Sequence, residues 1–281
     1  MILFISVFSP YSSRIHLKDL SSLSSWLRRH CDKVAVAFSG GVDSTLLAYV
    51  ANTVLDEVLA VTVRTEVHHP WEIEDAKRVA RRIGFRHEVL SLKLLNEKNF
   101  VKNDSLRCYY CKKLMMKKVK EYVGDKGFEV IVDGTNADDM RLERPGIRAL
   151  KEEGVLSPLA ELGFTKVDIR KLAQSLGLPN WNKAPETCLA TRIPEGTKIT
   201  LKRLKRILKA EATVKEVMQL KLLRVRDLGD VAKIEVLKED FDKFANVSLV
   251  EEVVSRLKAL GFKHVFLDLS GYRGYTSLPI Y

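Results

Sequence analysis

The feature that constrains the fold of this 281-residue chain most strongly is a short string at residues 38–44, Phe-Ser-Gly-Gly-Val-Asp-Ser. An alternating, β-rich apolar run at 34–38 leads into the string, and apolar residues at helical spacing follow it. The pattern therefore predicts a strand, a tight turn and the start of a helix. Gly40 and Gly41 allow the backbone to turn sharply and to approach a ligand closely.

The start of this predicted helix carries several polar groups. Ser39, Asp43 and Ser44 stand where free N–H groups and the helix dipole favour an anion, so a phosphate is the expected ligand. The string is not a Walker-type loop, because no lysine follows its second glycine. It resembles the signature of the PP-loop ATP pyrophosphatases, which bind the pyrophosphate end of ATP. An ordinary strand–turn–helix corner is the alternative interpretation.

Strand patterns alternate with helix patterns through the first 176 residues. The predicted strands are 34–38, 58–63, 87–92 and 129–132, and the predicted helices include 17–30, 71–83, 112–123 and 165–176. This alternation predicts an α/β fold with a doubly wound parallel sheet. Ligands of such sheets bind beyond the carboxyl ends of the strands. Because Asp133-Gly-Thr135 falls there, Thr135, Asp138 and Asp139 are candidates for binding ATP or magnesium, with a helix cap as the alternative.

A loop at 177–200 predicts the boundary between a PP-loop domain, 1–194, and a smaller domain, 195–281. After the loop, the patterns predict a helix, a hairpin, a second helix and a strand, at 201–220, 222–236, 249–260 and 264–269. This α-β-β-α-β order is typical of a ferredoxin-like α+β domain. We expect that domain to serve substrate binding or assembly, since the phosphate loop lies elsewhere.

The formal net charge of +11 makes anionic partners plausible, either nucleic acid or a phosphorylated small molecule. No apolar run approaches the roughly 20 residues of a membrane helix. The apolar segment 1–10 lacks a basic start and a small-residue cleavage site, so it predicts a strand or arm rather than a signal peptide. The expected location is the cytoplasm.

Three of the four cysteines form a pattern that suits metal binding. Cys108 and Cys111 have the two-residue gap that lets two thiolates face one metal centre, and Cys188 lies far along the chain. Three thiolates suit a 4Fe-4S cluster with one open iron, or a zinc ion with water or histidine as the fourth ligand. Spacing alone also leaves a redox dithiol and chance open. The flanking Arg107 and Lys112 favour thiolates over thiols.

Several strings, taken together and in order, resemble the LarE family of ATP-dependent sulfur transferases, which help to make the nickel-pincer nucleotide cofactor. The resemblance covers nearly the whole chain from about residue 20. The strings are Phe38-Ser-Gly-Gly-Val-Asp-Ser44, Arg107-Cys-Tyr-Tyr-Cys-Lys112, Asp133-Gly-Thr-Asn-Ala-Asp-Asp139, Arg144-Pro-Gly146, Ser157-Pro-Leu159, Cys188-Leu-Ala-Thr-Arg192, Arg224-Val-Arg226 and Ile234-Glu-Val236. The chain departs from the family pattern at 183–186 and at Glu195.

The resemblance implies a two-step reaction on pyridinium-3,5-biscarboxylate mononucleotide. ATP adenylylates a carboxylate and releases pyrophosphate, and a sulfur atom then displaces AMP and leaves a thiocarboxylate. In one branch of the family a single cysteine, matching Cys188, gives up its own sulfur. A second branch has three cysteines that hold a 4Fe-4S cluster. This sequence has all three, so it is predicted to belong to the cluster branch, with sacrificial use of Cys188 as the alternative.

The expected site has two parts. Pyrophosphate and Mg²⁺ are assigned to the phosphate loop, that is Ser39, Gly40, Gly41, Asp43 and Ser44, with Asp43 reaching the magnesium. Sulfur chemistry is assigned to Cys188. Arg192 and Lys183 are expected to steady the charge that develops on the adenylylated carboxylate, although both also suit solvated loop positions.

Arg224 and Arg226 alternate along a predicted strand, so both face one side. Two guanidinium groups so placed suit a substrate phosphate or carboxylate, with Glu211 and Glu235 completing the site. An exposed strand face is the alternative.

Two other classes of protein are alternatives to this sulfur transferase. A tRNA thiolase shares the PP-loop and a basic surface but normally adds an RNA-binding module or zinc-finger cysteines, so nucleic acid is not the expected partner. A non-catalytic iron–sulfur or zinc protein that binds nucleotide is another class. The expected partners are ATP, the nucleotide substrate and a sulfur donor, with no membrane. The resemblance also implies a homo-oligomer, in some members a hexamer.

Overall fold

The computed structural model describes residues 20–141, 145–184 and 186–272. The strand or arm predicted at 1–10 lies outside this part of the chain, as does the start of the helix predicted at 17–30. Within the described residues, no helix combines the length and the apolar character needed to cross a membrane.

The first part of the chain alternates strands and helices, as predicted. Its elements are α1 (Leu20–His30), β1 (Lys33–Ala37), α2 (Val42–Val54), β2 (Glu57–Arg64), α3 (Pro70–Ile83), β3 (His87–Ser91), α4 (Lys98–Val101), α5 (Arg107–Gly124), β4 (Ile131–Asp133), α6 (Ala137–Met140), α7 (Pro145–Glu152), α8 (Pro158–Glu161) and α9 (Lys166–Ser175).

The four strands form one parallel sheet in the order β3-β2-β1-β4. Alternate residues of a strand point to opposite faces, and both faces are covered. Val34 and Val36 of β1 pack with α1, α2 and α9, whereas Ala35, between them, packs with residues of α5 on the other face. The predicted doubly wound α/β sheet is confirmed, and β1, which carries the phosphate loop, is a central strand.

The helix predicted at 112–123 begins five residues earlier, at Arg107. The carboxylate of Asp104 accepts the N–H of Leu106 at 3.0 Å and so satisfies a backbone donor just before the helix. The Cys-x-x-Cys motif therefore lies in the first turns of α5. The short helices α4, α6, α7 and α8 have four to eight residues, too few to show a helical period in the sequence.

The second part of the chain has the predicted α-β-β-α-β order. Its elements are α10 (Leu201–Met218), β5 (Leu223–Asp227), β6 (Val231–Val236), α11 (Val247–Ala259) and β7 (His264–Leu267). The sheet order is β5-β6-β7, with β5 antiparallel and β7 parallel to β6.

The predicted boundary after residue 194 remains a prediction. The sheet of the second part has its own apolar core, formed with α10 and α11. However, Leu204 and Ile207 of α10 pack in one cluster with Leu189 and Ile193, which precede the boundary. The two parts are therefore in close contact at the segment that carries Cys188.

Candidate active site

The phosphate loop leaves the carboxyl end of β1 and turns at Gly40, whose φ of +72° is in the left-handed region. A Cβ atom here would lie 2.9 Å from the Cα of Ala76 in α3, so the position has no room for a side chain. Gly134 after β4 is equally confined, since its Cβ would lie 2.8 Å from the backbone nitrogen of Ser44. These two close approaches fix the loops around the first turn of α2.

Two hydroxyl groups fold the loop on itself. The Oγ atoms of Ser39 and Ser44 are 3.1 Å apart, Ser44 Oγ donates to the carbonyl of Gly41 at 3.1 Å, and Gly41 N–H donates to Ser39 Oγ at 3.3 Å. The loop is therefore preformed at the N-terminus of a 13-residue helix. This is the arrangement in which backbone N–H groups and the helix dipole receive a phosphate.

Asn180, which was not predicted as a site residue, holds the loop from the side of α2. Its buried Nδ2 donates to the carbonyl of Gly40 and to Thr45 Oγ1, each at 2.9 Å. The residue comes 140 positions after the glycine it binds. Its place in the loop at 177–200 gave no sign of this contact.

Asp43, expected to reach magnesium, is surrounded by polar side chains. Its Oδ2 forms an ion pair with Lys166, and its Oδ1 accepts a hydrogen bond from Asn136 Nδ2 at 3.2 Å. Lys166 is the first residue of α9 and was not anticipated, because only folding brings that helix beside the phosphate loop. Lys166 therefore adds a positive side chain to the positive end of the α2 dipole, next to the expected phosphate site.

Thr135 and Asp138 lie at the same end of the sheet, but their side chains already have partners. Thr135 Oγ1 donates to Asp133 Oδ2 at 2.7 Å. Asp138 Oδ2 accepts the backbone N–H of Lys166 at 2.8 Å. Asp138 therefore has the geometry of a helix cap, the alternative named from the sequence, and its role towards ATP or magnesium stays a prediction.

A small cavity of about 80 Å³ opens at the carboxyl ends of β1 and β2, beside the phosphate loop. Ser39, His68, Glu72 and Lys112 are among its lining residues. Glu72 was not predicted as a site residue, because in the sequence it is only an acidic residue in the first turn of a helix.

Burial, the largest cause, and the nearby charge of Glu186 together raise the pKa of Glu72 to about 7. A hydrogen bond from the backbone N–H of His69 at 3.2 Å and the charges of Lys183 and Arg192 lower it, but they do not outweigh burial. The carboxyl group therefore changes charge near neutral pH, next to the phosphate loop.

We expect the free energy of unfolding of the wild type to fall between pH 5.5 and pH 8, and we expect Glu72→Gln to reduce that fall. An unfolded glutamate ionises near its ordinary pKa of 4.5, whereas folded Glu72 ionises near 7, so ionisation favours the unfolded chain as the pH rises through this window. Ionisation of Glu72 should lower the free energy of unfolding of the wild type by about 2 kcal/mol over this window, and the variant should lose less. Denaturant unfolding at both pH values measures it.

Glu74→Gln is the matched control, because Glu74 lies two residues away on the same helix and a hydrogen bond from Lys77, together with the charge of that lysine, lowers its pKa instead. The same pH dependence of stability in wild type and Glu72→Gln would contradict the expectation.

The three selected cysteines lie in two segments that are tied together. Cys108 and Cys111 are in the first turns of α5, and Cys188 precedes a short 3₁₀ turn, Leu189–Arg192. Arg107 links the segments, since its Nη1 donates to the carbonyl of Ala190 at 3.3 Å while its Nη2 lies 3.7 Å from Cys108 Sγ.

Asn103 strengthens this link. It is fully buried with a φ of 61°, and its Nδ2 donates to the carbonyls of Pro194 and Thr197 at 2.8 and 2.9 Å. Its Oδ1 accepts from Arg107 Nη1 at 2.7 Å. The corner before α5 is therefore anchored to the loop that follows Cys188.

Burial and neighbouring thiols shift the pKa values of two of the three thiols. Burial, together with the nearby Cys188 and Cys108, raises the pKa of Cys111 to about 12, and the flanking Lys112 and Arg107, which lower it, do not outweigh burial. Burial also raises the pKa of Cys188, with Cys108 adding to the rise and Arg107 opposing it. Cys111 and Cys188 border the same apolar cluster. Folding thus brings Cys188 to the apolar cluster that Cys111 borders.

Across the described residues, no three His, Cys, Asp or Glu side chains converge on a point that could hold a metal ion. A single zinc requires such convergence, because each thiolate lies about 2.3 Å from the same ion. A 4Fe-4S cluster binds each thiolate to a different iron, so its cysteines stand farther apart. The donor set fits a cluster by its chemistry, and the role of the cysteines as ligands stays a prediction.

A cleft of about 410 Å³ lies between the start of α3, the end of α10 and β5, and Thr187, the residue before Cys188, is part of its lining. Its lining includes His69, Trp71, Arg192, Glu211 and Arg224, of which three were selected from the sequence. The cleft therefore gathers part of the expected substrate site.

Arg192 forms the wall between the cleft and Cys188. Its Nε donates to Glu211 Oε1 at 2.8 Å, and its Nη1 donates to the carbonyls of Thr187 and Cys188 at 2.6 and 3.1 Å. It is 5% exposed, so it is not a solvated loop charge. These bonds hold the backbone of Cys188 against the cleft.

The two strand arginines have different surroundings. Arg224 lines the cleft, and its Nη2 donates to the hydroxyl of Tyr272 at 2.5 Å. Arg226 forms a two-bond ion pair with Glu235, at 2.9 and 2.8 Å, and also donates to the carbonyl of Thr191 at 2.5 Å. Arg226 and Glu235 are not among the residues that line the cleft, so they support the turn after Cys188, and their role towards substrate stays a prediction.

Burial lowers the pKa of Arg224, and the charges of Arg192 and Arg226 lower it further. Among the residues described, no carboxylate lies within ion-pair distance of Arg224. An anionic ligand in the cleft would supply the missing negative charge.

Lys183 lies at a different place from Arg192. Its Nζ is 3.2 Å from Asp75 and 3.5 Å from Glu186, and it lines a recess beside Gly40 rather than the cleft. Its expected contact with the activated carboxylate stays a prediction.

Comparison with known proteins places this chain among its relatives. A family model described as of unknown function, DUF7411, matches residues 32–179. An uncharacterised protein of Synechocystis, slr1717, is 38% identical over 86% of this chain and 90% of its own length. Another, MJ0830 of Methanocaldococcus jannaschii, is 33% identical over 93% of this chain and 100% of its own.

The deciding relative has an assigned activity. The pyridinium-3,5-bisthiocarboxylic acid mononucleotide synthase of Lactiplantibacillus plantarum is 34% identical over 86% of this chain and 87% of its own length. The chain belongs to this synthase family. The predicted membership in the LarE family is confirmed, and so is the prediction that the chain is an enzyme that transfers sulfur.

Proposed function

We propose that this enzyme transfers sulfur to a carboxylate of pyridinium-3,5-biscarboxylate mononucleotide, after ATP has adenylylated that carboxylate, in the biosynthesis of the nickel-pincer nucleotide. One observation carries the proposal. Arg192 lines the cleft and also donates to the carbonyl of Cys188, so the expected substrate site and the expected sulfur site share a wall. The related synthase from Lactiplantibacillus plantarum gives the substrate class.

In the first step, a carboxylate oxygen of the substrate attacks the α-phosphorus of ATP. The bond to the β-phosphate oxygen breaks, and pyrophosphate leaves with that electron pair. The preformed loop from Ser39 to Ser44 supports binding of the pyrophosphate. Asp43 would hold a magnesium ion, and Lys166 beside it would balance the charge of the phosphates.

In the second step, a sulfur anion attacks the carbonyl carbon of the acyl adenylate. The bond to the AMP oxygen breaks, AMP leaves with its electron pair, and a thiocarboxylate remains. Arg224, with no acidic partner in the described part of the chain, is suited to bind the substrate's phosphate or its second carboxylate. Arg192, bonded to the carbonyl of Cys188, holds the backbone of that residue beside the cleft in which the acyl adenylate would bind.

We propose that Cys108, Cys111 and Cys188 hold a 4Fe-4S cluster. Support comes from the clamp by which Asn103 and Arg107 tie the start of α5 to the segment after Cys188, and from the apolar cluster that Cys111 and Cys188 both border. When bound, such a cluster supplies a replaceable sulfide at its open iron, which would let the enzyme turn over repeatedly. Iron and sulfide per chain would be measured on protein purified without oxygen. A colourless protein that loses one sulfur atom per chain during turnover would favour sacrificial use of Cys188 instead.

Pyrophosphate release tests the substrate. We expect the protein, with ATP and magnesium, to release pyrophosphate when it receives the pyridinium mononucleotide and not when it receives unmodified tRNA. Asp43→Ala should reduce this release by at least about tenfold, because it removes the carboxylate assigned to magnesium. Asp56→Ala, at an exposed acid after α2, is the control. Release with tRNA alone would reject the proposal in favour of a tRNA thiolase.

A further inference from the structure

Trp71 is a large aromatic residue on the wall of the cleft, and it is only partly buried. Its side chain is in the first turn of α3, and the residue is 40% exposed. One face of the indole stacks on the imidazole of His69, with ring centroids 4.2 Å apart and planes inclined by 22°. The second face is therefore the one left for a ligand.

The covered face carries no positive charge. His69 is 3% exposed, and burial, helped by the charge of Arg192, lowers its pKa to about 3. The imidazole is thus neutral at cellular pH. Within the described residues, no lysine or arginine stands over the indole ring. The electron-rich π face of Trp71 is available to a cation from outside the chain.

The cleft also carries positive groups suited to anions. Arg224, Lys215 and Lys221 line it, and none of the three has an ion-pair partner among the described residues. A ligand that suits both features is a flat cationic ring with anionic substituents. A pyridinium ring with carboxylates and a ribose phosphate has this combination, whereas a neutral ring offers the indole no cation.

We propose that Trp71 stacks on the pyridinium ring of the substrate and makes the cleft selective for a cationic ring. The inference rests on the proposed function, which supplies the pyridinium substrate. Trp71 is then a specificity-determining residue, since it recognises the charge of the ring while Arg224 recognises the anionic groups.

The test compares two nucleotides that differ mainly in the charge of the ring. Nicotinic acid mononucleotide has a pyridinium ring with one carboxylate, and orotidine monophosphate has a neutral ring with one carboxylate. Calorimetry measures both affinities, and tryptophan fluorescence reports stacking. We expect wild type to prefer the pyridinium nucleotide and to show quenched fluorescence. Trp71→Leu should lose about tenfold in affinity for the pyridinium nucleotide and little for the other. Trp71→Tyr should recover part of the loss.

Trp181→Phe is the control, because Trp181 packs against the core of the first sheet, away from the cleft. Matched melting temperatures would show that Trp71→Leu is folded. Equal preference of wild type and Trp71→Leu for the pyridinium nucleotide would overturn the inference, even if pyrophosphate release supports the proposed function. Selective binding through Trp71 without pyrophosphate release would instead reject the proposed function and leave the ring recognition standing.

Discussion

Replacing Cys188 with alanine should stop formation of the thiocarboxylate and leave pyrophosphate release largely intact. The substitution removes the sulfur atom that both branches of the proposed mechanism need, whereas the phosphate loop is on a different element. Product formation should fall by at least about 1000-fold, the scale expected when an essential reacting group is deleted. Product is measured by mass spectrometry of the nucleotide, and pyrophosphate release is followed in parallel.

Cys31→Ala is the matched control for this substitution. Cys31 packs against the core cluster of the first sheet, and its thiol donates to the carbonyl of Leu27. The control should retain both activities. Thiocarboxylate formation by Cys188→Ala at the wild-type rate would show that the sulfur arrives without this residue and would contradict the mechanism.

Asp227→Ala should destabilise the fold by about 3 to 5 kcal/mol, the range measured when one partner of a buried ion pair is removed. Asp227 is fully buried at the end of β5. Its carboxylate accepts hydrogen bonds from Arg203 at 2.7 Å, from Arg206 at 2.5 Å and from the backbone N–H of Gly229 at 3.0 Å. Without it, two guanidinium groups on α10 lose their partner. Denaturant unfolding measures the loss.

Asp230→Ala tests an acid in the same hairpin, where the partner is the exposed Lys263. Exposed ion pairs add little to stability, so this variant should unfold close to wild type. If Asp227→Ala unfolded at the same denaturant concentration as Asp230→Ala, the buried pair would not stabilise the joint between α10 and its sheet.

The elements that the sequence predicted correctly have a strong local signal. The first sheet follows from four apolar runs separated by helical patterns, and β1 with its glycine turn follows from six residues, Ser39 to Ser44. The second part was predicted in the right order for the same reason. The early start of α5 was missed because its first turn is anchored by Asp104, a side chain outside the helix.

The candidate site was predicted less completely, because residues far apart in the chain meet there. Trp71 was not selected, because it lies at the start of α3 and the residues of α10 and β5 that complete the cleft come much later in the chain. Glu72 was not selected either, because the cavity that it lines is formed only when the ends of β1 and β2 meet α5. Arg224 and Arg226 looked equivalent in the sequence, because they lie two residues apart on one predicted strand. The structure separates them, since Arg226 is paired with Glu235 and Arg224 lines the cleft.

The sequence by itself determined the phosphate loop, the parallel sheet and the choice of three cysteines, because each depends on short-range patterns or on residue type. Only the tertiary structure decided which charges are paired and which remain for a ligand. Lys166 meets Asp43, and Arg107 ties Cys108 to the loop after Cys188, across 123 and 83 residues of chain, respectively. Contacts over such distances depend on how the layers pack, and packing is a property of the whole chain rather than of any one segment.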